Sequence, residues 1–244
     1  MSLHNWRFEL FLPNDGTRNP YPKVSKLIES HYGSRSQTED EEVKGLIEIF
    51  KAQRGEYAVV TTRTIEAVTC IVFNAILEYG SIVRDNEENV FHIAPSHIND
   101  DIRHGVDAIM YRRNDTLHPP RLEPIGGIDF TVSDEKFKSK KRDVEKKWWT
   151  RSLYFNGSGG NIELPHIILF HHFSPILVLM QLAEANNSVR NFQELQSFIS
   201  KSVKKMIEHG HSWELAMRVH MDHWPRHWES PTHVIAMNKL LSRK

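Results

Sequence analysis

The chain has 244 residues, and its 31 Lys and Arg residues balance 31 Asp and Glu residues, so the formal charge is zero. This length fits one large domain or a domain with an appendage, and the composition, 39% hydrophobic and 25% charged, is typical of a globular protein. The single cysteine, Cys70, excludes an internal disulfide framework and a cysteine-rich zinc site. The charge balance removes the simplest argument for nucleic-acid binding, which is an overall basic chain.

No run in the sequence is expected to supply the roughly 20 apolar residues that a membrane helix needs. The opening residues are too polar for a signal peptide. We therefore expect a cytoplasmic protein with no membrane partner.

The first part of the chain has helical periodicity. Thr38 and Glu41 have the spacing of a capping box and predict the start of a helix that ends before Gly55. A second helix is predicted from about Thr62 to Tyr79 and is apolar on most sides, which indicates that it is largely buried.

Strand and helix signals then alternate. Residues 90–94, 105–111 and 126–132 have strand character, and a polar loop that can continue as a hairpin is predicted over 112–124. A helix is predicted over 135–151 and a strand over 162–170. From Ser174 onward only helices are predicted, starting near Ser174, Ser188 and Ser230. The expected fold is mixed α/β (α+β), with a helical lead-in (1–60), an α/β core (61–173) and a helical C-terminal portion (174–244) packed on the core.

Three acids lie inside these predicted elements: Glu66 in the second helix, Asp107 in a strand and Asp129 in the next strand. Alternate residues of a strand face opposite sides of the sheet, so both strand acids can face the side away from a packed helix. Adjacent strands would bring the two carboxylates to roughly 5 Å, where like charges need a cation between them. Mg²⁺ or Mn²⁺ is the expected ion, and such an ion supports phosphodiester hydrolysis. The alternative is that each acid is an ordinary solvent-facing or turn residue.

The segments that contain these acids resemble a known enzyme superfamily. Arg63-Thr-Ile-Glu66, Gly105-Val-Asp-Ala-Ile109 and Gly127-Ile-Asp-Phe-Thr131, followed by a basic helix, resemble the PD-(D/E)xK nucleases over residues 61–172. The resemblance implies a restriction-endonuclease-like αβββαβ core, with a mixed central sheet flanked by helices. It also implies endonuclease activity on nucleic acid, with DNA as the expected partner.

The resemblance further implies a role for each acid. Asp107 corresponds to the first motif acid, Asp129 to the acid of the second half-motif, and Glu66 to a helix acid that some members add to the metal site. All three are then ligands of Mg²⁺ or Mn²⁺. The lysine of the half-motif, which orients or polarises the attacking water in the family, is replaced here by Thr131.

A substitute for this lysine is expected from Lys136, Lys138 or Lys140 on the next helix, or from the hydroxyl of Thr131. Residues 134–147 contain seven Lys or Arg residues against four acids, which favours phosphate binding but is also typical of a solvated helix face. The alternative is a nuclease-fold module that has lost catalysis and binds nucleic acid or a protein partner. The C-terminal helices are expected to cover the sheet, recognise substrate or form a homodimer.

A further alternative uses the 15 histidines. His220, His223 and His227 would share one face of a helix, where together they could bind a zinc ion. Pro225 interrupts that helix, so ordinary surface or core histidines are the competing interpretation.

Overall fold

The structure is a computed structural model that describes residues 18–33, 40–79, 89–114, 121–131, 135–136, 138–140, 149–152, 162–171, 173–209 and 217–220. The helices of these ranges are α1 (Pro22–Tyr32), α2 (Glu41–Arg54), α3 (Glu56–Tyr79), α4 (Ile98–His104), α5 (Phe173–Ala185) and α6 (Phe192–Glu208). The strands are β1 (Asn89–Pro95), β2 (Ala108–Asn114), β3 (Arg121–Thr131), β4 (Trp149–Ser152), β5 (Ile162–His171) and β6 (Met217–His220). Residues 135, 136 and 138–140 are also helical, and we call them the lysine segment.

The strands form one mixed sheet. Their order is β1-β2-β3-β5-β4, with β6 also paired to β5. Strands β3 and β5 are parallel, and every other pairing in this sheet is antiparallel. Parallel neighbours need a crossover connection, which here is residues 132–161 and includes the lysine segment. The prediction of a mixed α/β fold with a mixed sheet flanked by helices is confirmed at this level.

The main hydrophobic core lies between α3 and one face of the sheet. Ile128 and Phe130 of β3 and Ala108 and Met110 of β2 belong to it, together with residues of α1, α5 and α6. The expected alternation along β3 is therefore confirmed, and Asp129 faces the other side of the sheet.

Helix α3 contradicts the expectation that no apolar run has membrane length. Residues Val59–Tyr79 are long and apolar enough to cross a membrane, but most of this segment is buried inside the fold. The same composition is typical of a central core helix, because such a helix is surrounded by apolar neighbours on most sides.

Three predicted helix starts are wrong, and one of them is the start expected near Ser188, because α6 begins at Phe192 with Asn191 as its N-cap. The N-cap of α2 is Asp40, whose carboxylate accepts hydrogen bonds from the backbone N–H groups of Glu42 and Val43 at 3.1 Å. Thr38, the predicted cap, lies outside the described residues. Helix α3 begins at Glu56, earlier than predicted, immediately after Gly55 at the end of α2.

The strands extend further than the sequence predicts. Much of the expected polar loop 112–124 is strand, because β2 and β3 pair with each other through Asn114 and Arg121. The helix predicted to end at residue 151 is also too long, since β4 occupies Trp149–Ser152. Strand β6 contradicts an all-helical C-terminal portion. Both β4 and β6 pair with β5, so tertiary hydrogen bonding decides these short segments rather than local preference.

Candidate active site

Asp107 lies directly before β2 rather than inside a strand as predicted, and its backbone is held from both sides. Helix α4 ends at Gly105, whose left-handed conformation (φ +63°) turns the chain toward the sheet. The N–H of Asp107 donates to the carbonyl of Ile128 at 2.8 Å, and its carbonyl accepts from the N–H of Ser96 at 3.0 Å. Its carboxylate oxygen Oδ2 accepts from the N–H of Phe130 at 2.6 Å. The side chain of Asp107 is thus directed toward β3.

Asp129 is the central acid of β3, and only 8% of it is exposed. Its Oδ1 atom is in contact with the Nζ atom of Lys140, which also donates to the carbonyl of Phe130 at 3.2 Å. On the other side, Nε2 of His166 lies 3.9 Å from Oδ2 of Asp129. One carboxylate is therefore flanked by an ammonium group and an imidazole ring.

The surroundings of Asp107 raise the pKa of its carboxyl group. Burial raises the pKa of the Asp107 carboxyl well above its usual range, and the charges of Glu66, Asp129 and Asp101 raise it further. The hydrogen bond from Phe130 opposes this shift in the pKa of Asp107. Three carboxylates, one each from α3, α4 and β3, thus lie close enough to Asp107 for their charges to act on it.

Of the three predicted acids, Glu66 and Asp129 both lie near enough to Asp107 for their charges to raise its pKa. Thr131 follows Asp129 by two residues in β3 and so faces the same side of the sheet. It is only 4% exposed, and its hydroxyl has no hydrogen-bond partner among the residues that the structure describes.

The structure distinguishes among the three lysines that were expected as candidates. Lys140, rather than Lys136 or Lys138, contacts Asp129, and the other two side chains are exposed. Residues two apart on a helix do not share a face, which separates Lys138 from Lys140. Lys136, four residues before Lys140, contacts the solvent rather than Asp129. The remainder of the predicted basic helix, residues 141–148, lies outside the described part of the chain.

Three further residues near the acids were not predicted as site residues. Arg63 and Asp101 form an ion pair at 3.7 Å that connects α3 to α4 beside Asp107. His166 lies opposite Gly127, and this register brings it beside Asp129. Arg63 could have been predicted near the acids, because it lies one helical turn before Glu66. No sequence pattern predicts that His166 pairs with Gly127.

The prediction that His220, His223 and His227 share one face of a helix does not hold for His220. His220 belongs to strand β6 and pairs with Ile168, so helical spacing does not relate it to later residues. His223 and His227 lie outside the described residues. Among those that are described, no three His, Cys, Asp or Glu side chains form a group that holds a metal ion as arranged.

The donor chemistry of the acids nevertheless fits a hard divalent cation. Glu66, Asp107 and Asp129 offer carboxylate oxygens, the ligands that Mg²⁺ and Mn²⁺ prefer. The pKa of Asp107 is raised first by burial and then by the negative charges of Glu66, Asp129 and Asp101. The positively charged ammonium group of Lys140 contacts Asp129. Cation binding therefore requires a rearrangement of the contact between Lys140 and Asp129.

No family model, no curated protein and no solved structure matches this chain. The interpretation of the site therefore depends on its contacts and on the resemblance of its short motifs.

Proposed function

We propose that the protein is a metal-dependent phosphodiester hydrolase with a restriction-endonuclease-like fold, acting on nucleic acid and on DNA in the first instance. The observation that carries the proposal is the contact of Lys140 with Asp129 beside Asp107, with Glu66 close enough to raise the pKa of Asp107. These residues lie on α3, directly before β2, on the adjacent strand β3 and on the crossover that follows it. Such convergence of acids with one lysine is the arrangement that the motif resemblance implies.

The order of the elements supports the proposed fold. Helix α3 is followed by the antiparallel strands β1, β2 and β3, then by the lysine segment, and then by β5, which is parallel to β3. This order agrees with an αβββαβ core to which α4, β4 and β6 are added. Because α3 is mostly buried inside this fold, we also propose a cytoplasmic location without a membrane partner.

The proposed reaction is hydrolysis of a phosphodiester. The oxygen of a water molecule forms a bond to phosphorus, the bond from phosphorus to one ester oxygen breaks, and a proton from the water ends on that oxygen. Glu66, Asp107 and Asp129 would hold the cation, which when bound increases the acidity of water and stabilises charge on the phosphoryl group. Lys140, released from Asp129 when the cation binds, would attract the phosphate backbone together with the exposed Lys136 and Lys138.

A second candidate function is favoured by a specific observation. Asp129 is already paired with the ammonium group of Lys140, and Thr131 stands where the family has a lysine. The same fold would then serve as a binding module for nucleic acid or a protein partner, without hydrolysis or a metal requirement. We infer hydrolysis first because the acid cluster is costly to bury unless a function requires it.

Cleavage assays test the proposal directly. Wild-type protein, Asp107→Asn and the control Glu48→Gln would be incubated with plasmid DNA and with single- and double-stranded DNA and RNA oligonucleotides, in Mg²⁺, in Mn²⁺ and in EDTA. Glu48 is a suitable control because it is an exposed acid of α2 paired with Lys51. We expect cleavage by wild type and Glu48→Gln only with a divalent cation, and a loss of about a hundredfold or more in Asp107→Asn. Equal cleavage by all three proteins would contradict the assignment of Asp107.

Calorimetric titration with Mn²⁺ separates the two candidate functions. Hydrolysis predicts saturable Mn²⁺ uptake by wild type that disappears in Asp129→Asn. Salt-sensitive binding of an oligonucleotide without Mn²⁺ uptake and without cleavage would instead support the binding module.

A further inference from the structure

We infer that Lys140 and the divalent cation exchange at Asp129, so that the lysine closes the site without the cation and is released toward phosphate when the cation binds. This exchange rests on the proposed function and deepens it, because it orders the binding of cation and nucleic acid at the same site. Lys140 is thereby assigned a regulatory contact rather than a step in the bond chemistry.

The first observation is that Asp129 already holds a cation, which is supplied by the protein itself. Nζ of Lys140 contacts Oδ1 of Asp129 and donates to the carbonyl of Phe130 at 3.2 Å. Carboxylate and carbonyl oxygens are also the ligands of hard divalent cations. Because two cations at contact distance repel each other strongly, the ammonium group and a metal ion cannot share this position.

The second observation is that the two partners differ in exposure. The side chain of Asp129 is only 11% exposed and belongs to β3 in the middle of the sheet, whereas that of Lys140 is 32% exposed. Lysine has a flexible four-carbon chain and a strongly hydrated ammonium group, so its side chain can turn into solvent. Exchange therefore requires rotation of one side chain and no change in the strand that carries Asp129.

The third observation is the negative charge that remains around Asp107. Besides burial, three negative charges raise the pKa of Asp107, and they belong to Glu66, Asp129 and Asp101. This repulsion is present while the single positive charge of Lys140 is in contact with Asp129. A divalent cation carries twice that charge, so its attraction to the acids is stronger than that of the ammonium group. Exchange is therefore favoured once the cation is present at sufficient concentration.

The release of Lys140 has a consequence for phosphate binding. Lys136 and Lys138 are exposed, and an ammonium group freed from Asp129 joins them as a third positive charge on the lysine segment. Charge-assisted hydrogen bonds from lysine to phosphate oxygens are among the strong polar contacts. Cation uptake should therefore increase the affinity for the phosphate backbone, and by thermodynamic linkage the phosphate backbone should increase the cation affinity by the same factor.

The first test is calorimetric titration of wild type, Lys140→Met and the control Lys138→Met with Mn²⁺. Methionine keeps an unbranched side chain without the charge. Lys140→Met should bind Mn²⁺ about tenfold more tightly than wild type, because the competing ammonium group is gone. Lys138→Met removes the same charge from an exposed position of the same segment. Its Mn²⁺ affinity should stay within about twofold of wild type in about 0.15 M salt, which screens exposed charges.

Thermal unfolding shows whether each variant is folded and gives a second measure of the exchange. Without cation, Lys140→Met should unfold cooperatively at a lower Tm than wild type. Mn²⁺ should raise the Tm of Lys140→Met more than that of wild type, because a tighter ligand stabilises the folded state more. An equal rise of Tm in the two proteins would contradict the exchange.

The second test measures binding of a double-stranded oligonucleotide with phosphorothioate linkages, which resist hydrolysis, by fluorescence anisotropy. Without Mn²⁺, wild type and Lys140→Met should bind it with similar affinity, because the lysine of wild type is engaged with Asp129. With saturating Mn²⁺, wild type should bind about tenfold more tightly than the variant, because only wild type gains a charged contact. Equal affinities with Mn²⁺ would overturn the release of Lys140 toward phosphate.

The exchange and the hydrolase fail in different ways. If wild type takes up Mn²⁺ but Lys140→Met binds it no more tightly than wild type or Lys138→Met, the exchange is wrong and the hydrolase remains. Absence of Mn²⁺ uptake by both wild type and Lys140→Met overturns both.

Discussion

The two faces of strand β3 differ in chemistry although they are buried to a similar extent. Ile128 and Phe130 face α3 and belong to the main core, whereas Asp129 and Thr131 face the other side and are only 8% and 4% exposed. Burial of the apolar pair stabilises the fold by the hydrophobic effect. Burial of the polar pair costs stability unless each group finds a partner. The comparison indicates that one face of the strand maintains the fold and the other maintains the site.

The largest expected effect lies on the apolar face. Ile128→Ala removes a completely buried side chain from the core and should lower the free energy of unfolding by about 2–5 kcal/mol. Urea denaturation measures the loss. Leu122→Ala is the matched control, because Leu122 lies on the same strand but is 55% exposed, and its change should stay within about 0.5 kcal/mol. Similar losses in the two variants would break the proposed contrast between positions of β3.

Substitution of a buried acid is expected to stabilise the protein, which is the opposite of the effect expected for Ile128→Ala. Asp107→Asn removes a charge that its surroundings disfavour while retaining an oxygen for the N–H of Phe130, so it should raise Tm at neutral pH. In wild type the pKa of Asp107 is higher in the folded state than in the unfolded state, and the folded state therefore binds more protons. The contribution of Asp107 to stability is then largest below the ordinary carboxyl pKa, near 4, and falls as pH rises toward the raised folded value.

Thermal unfolding of both proteins across this pH range checks the sign. The gain in Asp107→Asn should grow with pH and vanish in acid. A gain that does not depend on pH would show that the charge of Asp107 is not its cause.

The smallest of these effects concerns the ion pair. Lys140→Met leaves Asp129 without its ammonium partner and should lower the free energy of unfolding by about 1–2 kcal/mol, less than for a fully buried pair because Lys140 is partly exposed. Lys44→Met is the matched control, since Lys44 forms an exposed pair with Glu41 within α2. Its loss should be close to zero. Equal losses would indicate that the pair at Asp129 is an ordinary surface pair.

The sequence contains enough information to predict the two faces of β3 but not the groups that complete the site. The alternation Ile-Asp-Phe-Thr from Ile128 to Thr131 has the period of a strand, so this pattern alone places Asp129 opposite the core residues. The proximity of Asp107 follows from hydrogen bonds to Ser96 and Ile128, which are distant along the chain. Such contacts leave no local pattern.

The lysine and histidine beside Asp129 illustrate the same limit. The sequence places lysines at positions 136, 138 and 140, and it does not indicate which of them reaches Asp129. Only the folded structure shows that Lys140 makes this contact. His166 reaches Asp129 because β5 pairs in parallel with β3 at a register that only the folded sheet defines. The short strands β4 and β6 are likewise formed by pairing with β5 and have no clear alternation of their own.

Strand β5 has a consequence for the way in which this protein avoids aggregation. One of its edges is bonded to β3, and the other is covered in succession by β4, along Ile162–Pro165, and by β6, along Ile168–His171. Each covering strand is four residues long, too short to offer an inviting template to another chain. Among the described residues, these two short strands therefore limit the edge that β5 offers for pairing with another chain.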